Sequence, residues 1–381
     1  MRARGFGFQV LARDGEARCG RLSTPHGVIE TPAFMPVATY GAVRCVGPDD
    51  LCALGAQILL ANTYHLHERP GEAVVAALGG LHGFTGWRGP WLTDSGGFQV
   101  TSLADRVRVD EDGVAFASAL DGRRRRLTPE GALAIQEALG ADVAMVLDEC
   151  LPVEARGRGG DSAADPLRAR EAMERSLRWA ERSGRARRRG DQALFAIVHG
   201  GTSAELRRRS ARATAALGFD GYAHGGLGLG EPPALRQELV AAAHEALPAA
   251  APRYLMGLGR PQDLVAGVAA GVDLFDCVVP TRHARHGLLY TGEGVLPIRS
   301  ARFRDDPRPP DEACDCPTCT RHSRAYIAHL LRAGEALGAR LATLHNLRFF
   351  LHLLERARRA IAEGAFAPLA RDVAERAARR V

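Results

Sequence analysis

The stretch "ALFAIVHGGT" (193–202) decides the fold. Residues 194–198 form an apolar run typical of a strand buried on both faces, and His199 and two glycines follow it directly. The same order of apolar run, polar or glycine turn and helical stretch repeats along the chain. The eight runs are "AFMPV" (33–37), "QILL" (57–60), "PWLT" (90–93), "VAMVL" (143–147), "LFAIV" (194–198), "GYA" (221–223), "RYLM" (253–256) and "DLF" (273–275).

The stretches between these runs are typical of helices. Residues 128–140 begin with Thr128 and Pro129 and end at Gly140, the residue types preferred at the start and end of a helix. Segments 165–185 and 232–247 are amphipathic. Strand–helix alternation repeated eight times predicts a parallel (β/α)₈ TIM barrel. The alternative is a doubly wound open sheet, but no glycine-rich dinucleotide fingerprint follows the first strand.

Two further segments do not fit the repeat. Asp14-Gly15 is a tight-turn signal and predicts an N-terminal antiparallel hairpin. Asp112-Gly113 predicts a second hairpin within 105–127, between the third and fourth units.

Composition predicts a soluble globular protein. Of the 381 residues, 46% are hydrophobic and 25% charged. No apolar run approaches the roughly 18 residues that a membrane span needs. The basic N-terminus lacks the apolar segment of a secretory signal. We therefore expect a cytoplasmic protein without membrane association.

The charge balance allows two interpretations. The net charge is +6, and all 50 basic residues are arginine. Arginines cluster at 123–126, 185–189 and 207–209. Each cluster alone fits a solvated face, but together they are compatible with a polyanionic partner such as nucleic acid.

The strand ends carry the candidate chemistry, because TIM barrels place it at the C-terminal ends of their strands. Asp94, Asp148, His199, His224 and Asp276 each end or follow an apolar run, so we expect three carboxylates and two histidines at one mouth. Helix capping and tight turns are the structural alternatives. Paired aspartates without a catalytic metal motif suggest glycosyl chemistry, in which one carboxylate attacks an anomeric carbon and another handles protons. The residues alone do not assign these roles.

A cysteine cluster near the C-terminus predicts a metal site. Cys314, Cys316 and Cys319 form a C-x-C-x₂-C pattern, and His345 follows 26 residues later. Three thiolates and one imidazole fit tetrahedral structural zinc with no open position. His322 and His329 are rival ligands. We predict a barrel with its hairpin over 1–290, an inserted zinc-binding subdomain over 291–350, and a helical segment over 351–381 that completes the barrel.

Together these stretches resemble the bacterial tRNA-guanine transglycosylases (queuine tRNA-ribosyltransferases) over nearly the whole chain. The resemblance implies a zinc-containing (β/α)₈ barrel, active as a pentosyltransferase and homodimer. Such an enzyme exchanges the wobble guanine of tRNA for a 7-deazaguanine in queuosine biosynthesis. The matching stretches are "TPAFMPVAT", "GAQILLANTYHL", "RPGE", "GGLHGF", "LTDSGGFQV", "LTPE", "DECLP", "FDGYA", "GGLGLGEP", "RYLMGLG", "DLFDCVVPTRHARHG", "CDCPTC" and "LATLHNL".

The resemblance also implies roles for individual residues. Asp276 matches the nucleophile that forms a covalent intermediate with the ribose, and Asp94 matches the general acid/base, which also touches the base. The other residues implied to bind the base are Asp148, Phe98, His199, Gly226, Leu227, Glu231, Met256 and Gly257. Arg282 and Arg285 match RNA contacts. The implied zinc ligands are Cys314, Cys316, Cys319 and His345.

Several positions depart from the family pattern. His199 stands where the family usually has glutamine, His224 where it has isoleucine or valine, and Leu229 where a smaller valine is common. Asparagine is usual at both His283 and His286. A neutral imidazole N–H at His199 would replace the glutamine amide as donor to the base carbonyl.

These departures leave alternatives open. The chain is either a transglycosylase with tolerated substitutions, for which Cys150 and Leu229 favour the small 7-aminomethyl base, or a paralogue with another base or nucleic-acid substrate. A non-catalytic RNA-binding subunit is a third reading, but such a subunit should lack the three aspartates.

Overall fold

Eight parallel strands close into a barrel in the computed structural model, which describes residues 3–103, 105–153, 162–377 and 379–381, with backbone alone at 101–103, 105 and 106. In chain order the strands are β1 (Gly7–Asp14), β2 (Ala17–Thr24), β3 (Gly27–Thr31), β4 (Ala33–Ala38), β5 (Leu59–Ala61), β6 (Trp91–Thr93), β7 (Asp105–Asp110), β8 (Gly113–Ala117), β9 (Arg124–Leu127), β10 (Val143–Met145), β11 (Ala193–Val198), β12 (Gly221–His224), β13 (Arg253–Leu255), β14 (Leu274–Cys277), β15 (Leu288–Thr291) and β16 (Gly294–Pro297).

Helices follow the strands and surround the barrel. In chain order they are α1 (Pro48–Ala53), α2 (Thr63–Glu68), α3 (Glu72–Ala77), α4 (Gly80–Thr85), α5 (Gly97–Leu103), α6 (Pro129–Leu139), α7 (Pro166–Ala186), α8 (Ala204–Leu217), α9 (Pro233–His244), α10 (Pro261–Ala269), α11 (Val279–Arg285), α12 (Arg324–Ala333), α13 (Ala336–Ala362) and α14 (Phe366–Ala377), with a 3₁₀ turn at Ala301–Phe303. The predicted caps of α6 are confirmed, because the Thr128 side chain accepts from the Gly131 N–H and Gly140 is left-handed.

The barrel confirms the predicted fold class. Its strand order is β4-β5-β6-β10-β11-β12-β13-β14, and β14 closes on β4 with Leu274 opposite Ala33. Each of the eight predicted runs contributes one strand, and an open sheet is excluded by the closure. Every residue of β11 is buried, as expected for a strand covered on both faces.

The N-terminal sheet covers the end of the barrel at which the strands begin. The predicted hairpin β1–β2 is confirmed, and β3 adds a third antiparallel strand. From β2, the buried Arg18 forms an ion pair with Asp273, directly before β14. The Arg18 guanidinium also donates to the carbonyls of Ala249 and Ala251 at 2.7 and 2.8 Å. This sheet therefore leaves the opposite end of the barrel open for the site.

A histidine pair adds to this closure. His26 Nδ1 lies 2.8 Å from Asp142 Oδ1, and His82 Nε2 lies 3.4 Å from Oδ2 of the same carboxylate. The two rings stack with centroids 3.6 Å apart and planes 20° apart. The lone pairs of parallel rings do not converge on one ion, so we interpret this cluster as a clamp between the N-terminal sheet and β10.

Two smaller sheets lie outside the barrel. The predicted hairpin in 105–127 is confirmed as β7–β8 and is extended by β9. Near the C-terminus, β15 and β16 pair, and α12 and α13 follow the cysteine cluster. Helix α13 runs through the boundary placed at 350, and the division into three segments stays a prediction. Within the described residues no helix combines the length and apolarity of a membrane span.

Candidate active site

The strands bring four of the five predicted strand-end residues together at the mouth, which we define by Asp94, Asp148, His199 and Asp276. Asp94 follows β6, Asp148 lies beyond β10, His199 follows β11, and Asp276 lies within β14. Hydrogen bonds or charge repulsion connect these side chains in pairs. The predicted convergence is therefore confirmed for these four positions.

Asp94 is a buried carboxylate held by several donors. Its Oδ1 accepts from the N–H groups of Thr63 at 2.9 Å and Gly96 at 3.2 Å. Its Oδ2 accepts from Asn62 Nδ2 at 2.5 Å and Gln99 Nε2 at 3.1 Å. Burial nevertheless raises the pKa of Asp94 to about 7, and repulsion from Asp276 adds to that effect. Asp94 can therefore hold or release a proton near neutral pH.

Asp276 is held through one oxygen only. Oδ1 accepts from the Tyr254 hydroxyl at 2.6 Å and from the Gly257 N–H at 2.7 Å. Among the described residues, Oδ2 has no hydrogen-bond partner. Burial raises the pKa of Asp276, while the bonds from Tyr254 and Gly257 act in the opposite direction. The arrangement orients the carboxylate and leaves one oxygen available to attack a ligand.

Asp148 and His199 form a buried pair. His199 Nε2 lies 2.7 Å from Asp148 Oδ2, and the Ser95 hydroxyl donates to Oδ1 at 3.3 Å. A carboxylate only accepts, so Nε2 carries the hydrogen in this contact. The neutral ring then has no second N–H in this arrangement, and its role as a donor to a base carbonyl stays a prediction. Only the imidazolium has a second N–H to donate.

The turn after β12 provides backbone donors. The N–H groups of Gly226 and Leu227 have no acceptor among the described residues. The His199 ring lies against this turn, since a Cβ added at Gly225 would come 2.6 Å from its Cε1. Glycine at 225 is therefore required by the close approach of the ring.

Glu231 binds the next peptide of the same loop. Its carboxylate accepts from the Gly228 N–H at 2.6 Å and the Leu229 N–H at 3.1 Å. Arg236 Nε donates to it at 2.5 Å. Burial alone would raise the pKa of Glu231, but the bonds from Arg236 and Gly228 outweigh burial and lower it. Because a trans peptide directs its two polar groups oppositely, the Leu227 carbonyl faces away from Glu231.

Apolar side chains and an exposed glycine complete the mouth. Phe98 on α5 is 38% exposed, and Met256, directly after β13, is partly buried. Gly257 is exposed and left-handed, with φ of 70°. These positions follow β6 and β13, and the base contacts that the resemblance implies for them stay predictions.

His224 does not belong to the mouth, contrary to prediction. Its Nε2 lies 2.9 Å from His244 Nε2 on α9, and the side chain is fully buried. Burial and the nearby cations of Arg207 and Arg253 lower the pKa of His224 to about 3. The side chain faces the helix layer because successive residues of a strand point to opposite faces.

Arginines lie on and near α11, the helix that follows β14. Arg282 on α11 is exposed, and Arg285 donates to the Thr281 carbonyl at 2.9 Å. Burial and repulsion from Arg44 lower the pKa of Arg285. Within the described part of the chain, Arg44, Arg282 and Arg285 form no ion pair.

The predicted arginine clusters differ from this group. Arg125, Arg126, Arg185, Arg187, Arg189, Arg208 and Arg209 each pair with a carboxylate. Arg207, in the third cluster, is fully buried. The clusters are therefore largely neutralised within the protein.

The cysteine cluster converges as predicted. The ligand atoms of Cys314, Cys316, Cys319 and His345 all lie within 4.8 Å of one another, with Cys319 Sγ 3.2 Å from His345 Nδ1. His345 Nε2 donates to the Tyr290 carbonyl at 2.7 Å. This bond fixes the tautomer in which the Nδ1 lone pair faces the thiols, as a metal ligand requires. The four residues therefore fit a metal ion.

Comparison with known proteins agrees with this geometry. The family model described as Queuine tRNA-ribosyltransferase matches residues 14–379. The chain belongs to this family. It is 56% identical over 371 residues to the Queuine tRNA-ribosyltransferase of Thermus thermophilus, covering 97% of this chain and 94% of the relative. The proteins of that name from Thioalkalivibrio sulfidiphilus and Moorella thermoacetica are 52% and 51% identical, covering 94% and 97% of both chains, respectively.

Membership in the queuine tRNA-ribosyltransferase family confirms the predicted resemblance, whereas the roles of single residues stay predictions. Four residues at or beneath the site were missed. Asn62 follows β5 and caps α2, so its place at a strand end was a usable signal. Gln99, Tyr254 and Arg207 lie within regular elements and have no comparable signal.

Proposed function

We propose that this protein is a tRNA-guanine transglycosylase that replaces the wobble guanine of tRNA with 7-aminomethyl-7-deazaguanine in queuosine biosynthesis. The observation that supports this most directly is the carboxylate pair at the mouth. Asp276 has one oxygen free of hydrogen bonds among the described residues, and the pKa of Asp94 is about 7. This pairing suits a nucleophile beside a proton donor.

The proposed reaction is a double displacement. An oxygen of Asp276 forms a bond to the ribose anomeric carbon, the glycosidic bond breaks, and its electron pair leaves with guanine. Protonated Asp94 supplies a proton to the departing base. The incoming base then returns a proton to Asp94, and its ring nitrogen displaces the carboxylate from the anomeric carbon. Tyr254 and Gly257 hold Asp276 throughout.

The base pocket is proposed to read the purine along two edges. Asp148 accepts from the ring N–H and exocyclic amine, and the Gly226 and Leu227 N–H groups donate to the carbonyl. Phe98 and Met256 pack on the faces of the extruded base. Carboxylate Glu231 leaves the Leu227 carbonyl as an acceptor, which suits an aminomethyl group.

The proposed partners follow from the surroundings of the site. Arg282 and Arg285 on α11, which form no ion pair among the described residues, suit contacts with tRNA phosphates. Zinc bound by the three cysteines and His345 would join the cysteine loop to α13, a structural contribution outside the mouth. Action on tRNA suits a cytoplasmic enzyme, and we retain the proposal of a homodimer.

Exchange of labelled guanine into tRNA tests the proposal, with Asp276→Asn as the decisive variant. We expect the wild type to exchange guanine and to form a protein–RNA band that survives a denaturing gel. Asp276→Asn should lose both while still binding tRNA. Exchange by this variant would refute the nucleophile, and absence of exchange by the wild type would refute the function.

One observation keeps a second candidate. His199 stands in the base-reading pair in place of the usual glutamine, which favours a paralogue with another base. Incubation with tRNA and a panel of 7-deazaguanines, followed by nucleoside mass spectrometry, separates the two.

A further inference from the structure

Arg207 on α8 is a fully buried guanidinium beneath the mouth. Among the described residues it forms no ion pair, and burial lowers its pKa to about 10. Burying a cation without a carboxylate partner is costly. The surrounding carbonyl groups must therefore stabilise this charge.

The side-chain hydrogen bonds of Arg207 among the described residues go to the turns that carry base-binding groups. Nη1 donates to the carbonyls of Val198 at 3.3 Å and Gly225 at 3.1 Å. Nε and Nη2 donate to the carbonyl of Gly201 at 3.2 and 3.1 Å. Val198 immediately precedes His199. One side chain thus joins the turn after β11 to the turn after β12.

Gly200 allows this contact. A Cβ at Gly200 would lie 2.6 Å from the Arg207 backbone nitrogen and 2.9 Å from its Cγ, and φ is 152°. The glycine pair in "VHGG" therefore lets the turn pack directly on Arg207.

The bond to Gly225 affects a donor at the mouth. The Gly225 carbonyl and the Gly226 N–H belong to one trans peptide, so the N–H points away from Arg207. A carbonyl that accepts from a cation polarises its peptide and strengthens the opposite N–H as a donor. This N–H has no acceptor among the described residues.

We propose that Arg207 is a positioning residue that aligns and polarises the Gly226 N–H toward the base carbonyl. The inference rests on the proposed function. When the glycosidic bond breaks, its electron pair passes to guanine, and part of the negative charge reaches the carbonyl oxygen. A preorganised donor backed by a buried cation stabilises that charge.

The test measures how strongly the enzyme prefers guanine to 6-thioguanine. The two bases share both N–H groups on the Asp148 edge but differ in the carbonyl, because sulfur is the weaker acceptor. Binding constants from calorimetry give the preference directly. We expect Arg207→Met to lower it about fivefold and to slow single-turnover guanine release roughly 10- to 100-fold.

Arg18 provides a matched control, because it is equally buried but lies at the other end of the barrel. Arg18→Met should lower thermal stability and leave the base preference unchanged. An unchanged preference in folded Arg207→Met would overturn the inference.

If Arg207→Met does not fold, the comparison of Arg207→Lys with Arg207→Gln tests the inference. A stronger preference for guanine over 6-thioguanine in Arg207→Lys than in Arg207→Gln supports the role of the charge. Equal preferences in the two variants refute it. Because base binding is measured without turnover, failure of guanine exchange by the wild type would count against the proposed function alone.

Discussion

The Nε2 atom of His199 and the Oδ2 atom of Asp148 lie 2.7 Å apart in a buried pair at the mouth. This contact uses the single N–H of a neutral imidazole. The histidine therefore resembles a glutamine amide in size but not in donor capacity, since an amide nitrogen carries two hydrogens.

His199→Gln should retain exchange and lower the KM for the base. The neutral imidazole uses its single N–H on Asp148, whereas a glutamine amide nitrogen carries two hydrogens and can bind Asp148 and the base carbonyl together. One added hydrogen bond corresponds to about 1 kcal/mol, or roughly a fivefold fall in KM. Steady-state kinetics with labelled guanine measures this. An unchanged KM would show that residue 199 does not contact the base carbonyl.

Asp94→Asn should change how stability depends on pH. The pKa of Asp94 rises from 3.8 to about 7 on folding, so the folded protein binds the proton more tightly. Stability is therefore lost as pH rises from about 4 to about 7, by at most about 4 kcal/mol. The asparagine side chain of the variant does not titrate, and that part of the loss should disappear. Unfolding in urea at pH 5 and pH 8 measures the difference.

Comparison across pH removes a confounding effect of this substitution. The amide places N–H groups opposite donors of Asn62 and Gln99, which lowers stability at both pH values. If the variant and the wild type lose equal stability between pH 5 and pH 8, Asp94 does not carry the raised pKa.

Glu231→Gln should reduce the preference for an aminomethyl base over guanine. The carboxylate accepts two backbone N–H groups, whereas the amide has one acceptor oxygen. The Leu227–Gly228 peptide is then less firmly held with its carbonyl away from residue 231. We expect a several-fold fall in the ratio of kcat/KM for the two bases, corresponding to about 1 kcal/mol. An unchanged ratio would show that this peptide does not recognise the substituent.

Cys316→Ser should remove about one zinc ion per chain and lower the Tm. The buried cluster loses one of four ligands. Cys52→Ser is the matched control, because Cys52 is exposed and outside the cluster. Metal analysis and thermal unfolding measure both effects. Full zinc content in Cys316→Ser would refute the site.

Periodic and local features of the sequence predicted most of the fold. The eight apolar runs match the eight barrel strands, and the cysteine spacing brings three thiols to one histidine. Both signals depend on neighbouring residues or on a regular repeat. The site aspartates were predictable because strand ends meet at one end of a barrel.

The direction and burial of single side chains were less predictable. Arg207 stands in the run "RRR" (207–209), where its two neighbours pair with surface glutamates. Only the tertiary structure distinguishes it, since the rotation of α8 turns one arginine toward the barrel. His224 is the last residue of β12, and His199 is the first residue after β11. The His224 side chain points to the helix layer, whereas the His199 side chain lies at the mouth. Because side chains alternate between the two faces of a strand, a shift of one residue at the strand end reverses the face on which a side chain lies.

The pairing of β14 with β4, which closes the barrel, has a consequence for the synthesis of the protein itself. Strand β14, which carries Asp276, pairs with β4, so residue 274 must meet residue 33 before the barrel exists. Such distant pairing is slow to form, because a long loop of chain must first be closed. A ribosome-bound chain that ends before β14 has neither Asp276 nor a closed barrel. Helix α13, which carries His345, packs against β4 and is made later still. The protein therefore brings the four residues of the mouth together only near the end of translation.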